Sequence, residues 1–193
     1  AVYLGQRIFY VPEFLSEDTA ARDYAHPIRP PVIGVPDSCF VATSQSRNSC
    51  YVATSQSSKG ISRHDYKQPG LAEVCDLLPR TELPKRWILP AQQAELLKLA
   101  TNAFYALKVT FANQLYDTGM EQETLNALGD NPWIGGEHFT IYHKGYRGYG
   151  GKCLPKDMRA FTDYCDSVGG KANMLSVCQD YNETLRSEKE KAK

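Results

Sequence analysis

From Ala91 to about Gly119 the chain carries its longest helical pattern, and that pattern limits the fold more than any other feature. Leu96, Leu97, Leu99, Ala100, Ala103, Phe104, Ala106, Leu107, Val109, Phe111, Ala112 and Leu115 cover most of the circumference. A helix apolar nearly all round is buried, against its own domain or against a partner. Further helical patterns run from Gln122 to Gly129, from Pro155 to Val168 and from Lys171 to Ala192, the last ending in a charged tail from Arg186 onward. The part before Ala91 reads differently. Arg7 to Val11, Pro31 to Gly34 and Arg86 to Leu89 suit short strands, and Leu71 to Leu78 a short helix. Pro12 to Glu17 leads into a helical turn.

A chain of 193 residues fits one domain, or one with a small appendage, and can bury a sizeable core. Its 22 basic and 22 acidic residues cancel, so no net field draws it to nucleic acid or to an anionic membrane. No apolar run approaches the roughly 20 residues of a membrane span, and the start lacks a basic-then-apolar signal pattern. The expectation is a soluble protein, cytoplasmic or otherwise intracellular, with no membrane or nucleic-acid partner. The chain begins at Ala1 and enters a strand-like segment at once, as a fragment or a processed product would.

Six cysteines (Cys39, Cys50, Cys75, Cys153, Cys165 and Cys178) include no C-x-x-C pair, and reduced thiols are the default in a chain of this size. The histidines His26, His64, His138 and His143 show no metal-ligand spacing and read as structural or solvated. Ser38 to Ser46 recurs almost unchanged as Ser49 to Ser57. Two copies are too few for a solenoid, which needs at least three repeats of about 20 residues. The Ser/Thr/Gln content suits an inserted surface loop or hairpin over 38–58 without chemistry of its own.

The chemistry-bearing segment is Gly145-Tyr146-Arg147-Gly148-Tyr149-Gly150-Gly151-Lys152-Cys153-Leu154-Pro155-Lys156-Asp157. Glycines allow close backbone approach to a ligand and positive φ angles. Pro155 suits the first turn of a helix, whose free N–H groups favour a negative charge such as a thiolate. Lys152 and Lys156 flank the sulfur and favour the same form. The alternative is a glycine-rich turn around an inert buried cysteine; loop, helix start and both lysines together favour the reactive reading. Lys98 and Asn102 stand four apart, on one face of the long helix. They read equally as a snorkelling lysine with a neutral neighbour or as two donors to an oxyanion. Glu13 and Glu17, also four apart, carry the same ambiguity between chemistry and solvation.

Three ordered segments carry a family resemblance. Val11-Pro12-Glu13-Phe14-Leu15, with Pro27-Ile28-Arg29 and Val32-Ile33-Gly34, is the first; Ala94-Glu95-Leu96-Leu97-Lys98-Leu99-Ala100-Thr101-Asn102-Ala103-Phe104 is the second; Gly148 to Asp157 is the third and most specific. Together they resemble the UDP-glucose/GDP-mannose dehydrogenase family of nucleotide-sugar 6-dehydrogenases. The resemblance implies an α/β remnant of a Rossmann-like, NAD-binding domain over 1–90, followed by a mainly α-helical central dimerisation domain over 91–193. It implies NAD-dependent oxidation of a sugar C6 alcohol to a carboxylate, through a cysteine thiohemiacetal and thioester. By the same resemblance Cys153 is the nucleophile, Lys98 and Asn102 steady oxyanions, and Asp157 and Glu13 handle water and protons. Phe14, Leu15, Glu17, Lys144, Tyr146, Tyr149 and Gly150 line the site for a UDP-sugar or GDP-sugar, and Lys156 contacts the cofactor. The long helix forms the core of a homodimer or larger assembly.

The sequence also departs from that family. It holds no G-x-G-x-x-G; the nearest frame, starting at Gly148 and Gly150, has Cys153 where the third glycine belongs. The C-terminal nucleotide-binding domain has no counterpart. Asn131-Pro132-Trp133-Ile134-Gly135 stands where the family has Asp-Pro-Arg-Ile-Gly, with Asp18 replacing a glycine and Lys152 a small residue. Two readings follow: the central catalytic part of a dehydrogenase, inactive in isolation, or a truncated, non-catalytic relative serving as a dimerisation or interaction protein. A cysteine hydrolase built on Cys153 alone lacks a supporting histidine motif.

Overall fold

A computed structural model describes residues 9–14, 19–25, 27, 30–35, 71–78 and 87–191. The 38–58 repeat, Leu15, Glu17, Asp18, Ile28, Arg29 and the start of the expected Arg7–Val11 strand lie outside the described residues. The chain divides into two compact units, Ala1–Lys98 and Leu99–Lys193. The division falls inside the long helix rather than at its start.

In the first unit β1 (Val32–Val35) pairs in parallel with β2 (Trp87–Pro90), in register from Val32 opposite Trp87 to Val35 opposite Pro90. All four β1 residues are buried, which is why the strand reads as a continuous apolar run rather than an alternation. Of the strand expected over Arg7–Val11, the described part contributes one antiparallel bridge. Tyr10 and Gly34 exchange N–H···O bonds of 2.9 and 2.6 Å. Helix α1 (Ala20–Ala25) buries none of its residues. Helix α2 (Leu71–Leu77) packs Leu71 and Cys75 against Ile33, Val35 and Ile88. The long helix α3 (Ala91–Asp117) sets Ala94 of its first turn against Val32 and Leu89. That contact belongs to the first unit and explains why the helix start stays with the strands. It also requires Gly34, where an added Cβ would stand 2.9 Å from the Cα of Ala91 and 3.0 Å from the Cβ of Ala94.

The second unit is helical: the remainder of α3, α4 (Gln122–Gly129), α5 (Cys153–Ser167) and α6 (Asn173–Lys191). Helix α5 begins two residues before the Pro155 start suggested by sequence. Proline is tolerated there because the first four N–H groups of a helix have no partner within it. Ala103, Ala106 and Val109 of α3 meet Met158 of α5 and Leu175 and Cys178 of α6 in one core. A second cluster joins Ala112, Leu125, Phe139 and Ile141. Small residues on the inward side of α3 let its neighbours approach closely. Burial all round does not hold within the single chain: Phe104 is 58 % and Phe111 54 % exposed. Phe104 also lines an apolar groove of about 310 Å³ with Ala100, Leu107, Phe161, Met174 and Leu175.

Cys153, Cys165 and Cys178 are free thiols, and Cys75 is buried. Among the described residues no helix is long and apolar enough to cross a membrane, and no group of three His, Cys, Asp or Glu could hold a metal ion.

Candidate active site

The glycine-rich loop is shaped by its backbone. His143 and Tyr146 form an antiparallel bridge, and Gly148 and Gly151 take φ of 76° and 74°. At Gly148 an added Cβ would lie 2.5 Å from Asn182 Oδ1; at Gly150 it would lie 2.1 Å from Arg186 Nη1 and 2.9 Å from the Tyr146 hydroxyl. Both glycines are therefore fixed by the close approach of α6.

Between them, Tyr149 turns inward. Its N–H donates to Asn182 Oδ1 at 2.7 Å, and its carbonyl accepts from Asn182 Nδ2 at 3.1 Å. Tyr149 is 4 % exposed and belongs to the core. Burial, with Cys178 alongside, pushes the Tyr149 phenol well above its ordinary range. Burial likewise raises the Cys178 thiol, against hydrogen bonds to Thr110 and Tyr149. Thr110 Oγ1 lies 3.0 Å from Cys178 Sγ.

Cys153 is the first residue of α5 and is exposed. One turn later Asp157 is 4 % exposed, and facing it on α3 Asn102 is 6 % exposed. Asn102 Nδ2 donates to Asp157 Oδ2 at 2.6 Å. Lys156 Nζ pairs with Asp157 Oδ1 at 3.0 Å, its own side chain 72 % exposed. The second unit thus brings together four of the expected residues: Asn102, Cys153, Lys156 and Asp157. A buried carboxylate held by a carboxamide on one side and an ammonium on the other satisfies the rule that buried charge is paired.

The remaining candidates sit as follows. In the first unit Lys98 is half-buried, its Nζ 5.4 Å from the centre of the Phe14 ring. Glu13 is exposed and Phe14 half-buried, while Leu15 and Glu17 lie outside the described residues. In the second unit Lys144 is exposed at a φ of 51°. Half-buried Tyr146 stacks under the Arg186 guanidinium at 4.5 Å. Trp133 is 94 % exposed. Its turn is held by Asn131 Oδ1, which accepts the Trp133 N–H at 3.0 Å, and by Lys108, which donates to the carbonyls of Ile134 and Gly135 at 3.2 and 2.8 Å.

One group escapes sequence reasoning. Arg147 Nε donates to Asn113 Oδ1 at 2.9 Å and Nη2 to the Asn113 carbonyl at 3.2 Å. Arg147 also makes a short ion pair with Asp117, which accepts a second short bond from the Tyr181 hydroxyl. Asn113 is fully buried. The signal that could have found it is the spacing of Asn102, Thr110, Asn113 and Asp117, which lie on one side of α3.

Residues 92–184 match the model of the UDP-glucose/GDP-mannose dehydrogenase family, central domain. The chain is 28 % identical over 178 residues to the GDP-mannose 6-dehydrogenase of Pseudomonas putida, covering 90 % of this chain and 33 % of that protein. It is 27 % identical over 185 residues to the UDP-glucose 6-dehydrogenase AglM of Haloferax volcanii, covering 93 % and 36 %. Among solved structures, the UDP-glucose dehydrogenase of the hyperthermophilic archaeon Pyrobaculum islandicum matches with a TM-score of 0.64 and 26 % identity, covering 92 % of this chain and 34 % of that one. The chain therefore spans about a third of the length of these relatives.

Proposed function

We propose, for a chain that belongs to the UDP-glucose/GDP-mannose dehydrogenase family, that it supplies the thiol-bearing central part of a nucleotide-sugar 6-dehydrogenase. The observation that carries this reading is the buried Asn102–Asp157 hydrogen bond of 2.6 Å, one helical turn from an exposed Cys153. A nucleophile beside an oriented carboxylate and carboxamide is the arrangement that acyl transfer through sulfur requires.

In this reading the Cys153 sulfur adds to the C6 aldehyde of the sugar. One C–S bond forms, the carbonyl π pair moves to oxygen, and the resulting oxyanion is stabilised by nearby donors. Releasing the acid from sulfur later requires a water to lose a proton. Asp157 suits that step, because Asn102 fixes one carboxylate oxygen and the other pairs with the exposed Lys156. Lys98 and Glu13, in the first unit, keep the roles the resemblance gives them, oxyanion donor and proton carrier. Phe14, Leu15, Glu17, Lys144, Tyr146, Tyr149 and Gly150 keep theirs toward a UDP-sugar or GDP-sugar.

NAD is the hydride acceptor that the family implies. The residues of this chain do not themselves fit its pyrophosphate, since the sequence has no G-x-G-x-x-G, while Lys156, its side chain 72 % exposed, keeps the cofactor contact that the resemblance gives it. The first unit, with its short parallel strand pair, is in this account the closing part of an NAD-binding-type α/β domain. The exposed Phe104 and the apolar groove beside it form a homodimer interface.

The test is the order in which the six cysteines react with iodoacetamide, followed by peptide mass spectrometry. Cys153 is expected to react first. Equal rates at all six would remove the nucleophile from the account.

A further inference from the structure

The carboxamide of Asn182 is committed to one backbone residue. Its oxygen accepts the Tyr149 N–H at 2.7 Å and its nitrogen donates to the Tyr149 carbonyl at 3.1 Å. Asn182 is 5 % exposed, so no water replaces these bonds cheaply. Shape reinforces them: at Gly148 a Cβ would come within 2.5 Å of Asn182 Oδ1 and 3.4 Å of the Leu185 Cβ. One turn further along α6, Arg186 covers the Tyr146 ring, and its Nη1 lies 3.4 Å from the Tyr149 carbonyl. Helix α6 thus grips the loop from Tyr146 to Gly150. The four residue-to-residue steps from Tyr149 to Cys153 span at most about 14 Å, so displacement of the grip shifts the start of α5.

We infer that Asn182 is a positioning residue for Cys153, acting through the Tyr149 backbone although it does not touch the thiol. The inference rests on the reading of Cys153 as the nucleophile. Neither the residue type nor its place on an amphipathic helix announces this role. It arises because an amide side chain can pair with both polar groups of one peptide residue, a pairing that fixes the local backbone as a ladder rung does.

The experiment compares the full 193-residue chain with Asn182→Ala and Asn182→Asp. Amide hydrogen exchange is read over 145–152, with α4 as the control, and iodoacetamide rates at Cys153 are read against Cys165 on the same helix. Asn182→Ala is expected to raise loop exchange about tenfold without moving α4, since loss of both bonds opens the loop locally. Asn182→Asp keeps the acceptor for the Tyr149 N–H but sets a carboxylate oxygen against the Tyr149 carbonyl, so its loop exchange is expected to rise at least as much as that of Asn182→Ala. It decides the question alone if the alanine variant does not fold. In both variants the Cys153 rate is expected to fall severalfold relative to Cys165. Exchange that rises equally in α4, or a Cys153 rate that stays put while the loop opens, overturns the inference. A Cys153 in the unsubstituted chain that reacts no faster than Cys165 instead sinks the nucleophile reading, and the two failures are told apart by that first rate.

Discussion

Asn102 and Asp157, separated by 55 residues in sequence, meet through a buried 2.6 Å hydrogen bond from carboxamide to carboxylate. This contact ties the long helix to the helix that begins at Cys153, so it serves packing and chemistry together. Asn102→Ala should cost about 1–3 kcal/mol, because a buried carboxylate loses a donor. A double-mutant cycle with Asp157→Ala, read by urea denaturation, should return a coupling of about 0.5–3 kcal/mol. Additive losses would mean that the two residues act independently.

Acid should loosen the second unit through Asp117. Burial alone would raise its carboxyl, but hydrogen bonds from Tyr181 and Arg147 and the Arg147 charge outweigh burial and hold it below the usual carboxylate range. Its folded value thus lies below its unfolded value of about 4. The stability it contributes is complete above that unfolded value and is lost as pH falls through the folded one. Asp117→Asn should therefore show a smaller fall in melting temperature between neutral and strongly acid solution than the unsubstituted chain. Parallel curves for the two would contradict the assignment.

Two glycines separate backbone strain from crowding. Gly145 and Gly148 have φ of 79° and 76°, but only at Gly148 would a side chain meet atoms within 4 Å. Alanine at either position meets a left-handed backbone penalty of about 1–2 kcal/mol. At Gly148 the clash with Asn182 should add about 1–3 kcal/mol. Equal denaturation midpoints for Gly145→Ala and Gly148→Ala would show that α6 does not press on the loop.

The exposed Phe104 predicts self-association. Sedimentation equilibrium should give twice the 21.6 kDa chain mass, and Phe104→Glu should return the single-chain value. A monomer in the unsubstituted chain, or a dimer that survives the charge, would reassign the groove.

Much of the scaffold was legible because local signals determine it. The apolar run of α3, the start of α5 near Pro155 and the extent of α4 follow from periodicity and proline geometry, and the structure places them within a few residues. The burial of Tyr149 was not legible, because the glycines on either side of it let α6 approach the loop from a distant part of the chain. The Arg147 clasp and the Asn182 grip were not legible. Their partners lie 30 or more residues away in sequence, and a lone Asn on an amphipathic helix looks like any other polar position. The strand expected before Pro12 is, where described, a bridge at Tyr10, set by pairing with Gly34 rather than by its own propensity.

Substrate protection of one thiol tests the central claim most directly. The iodoacetamide rate at Cys153 should fall in a saturable way as UDP-glucose or GDP-mannose is added, while the rate at Cys165 stays constant. A Cys153 rate that ignores both nucleotide sugars, in a chain that calorimetry shows to bind either one, would place the sugar elsewhere and contradict the account.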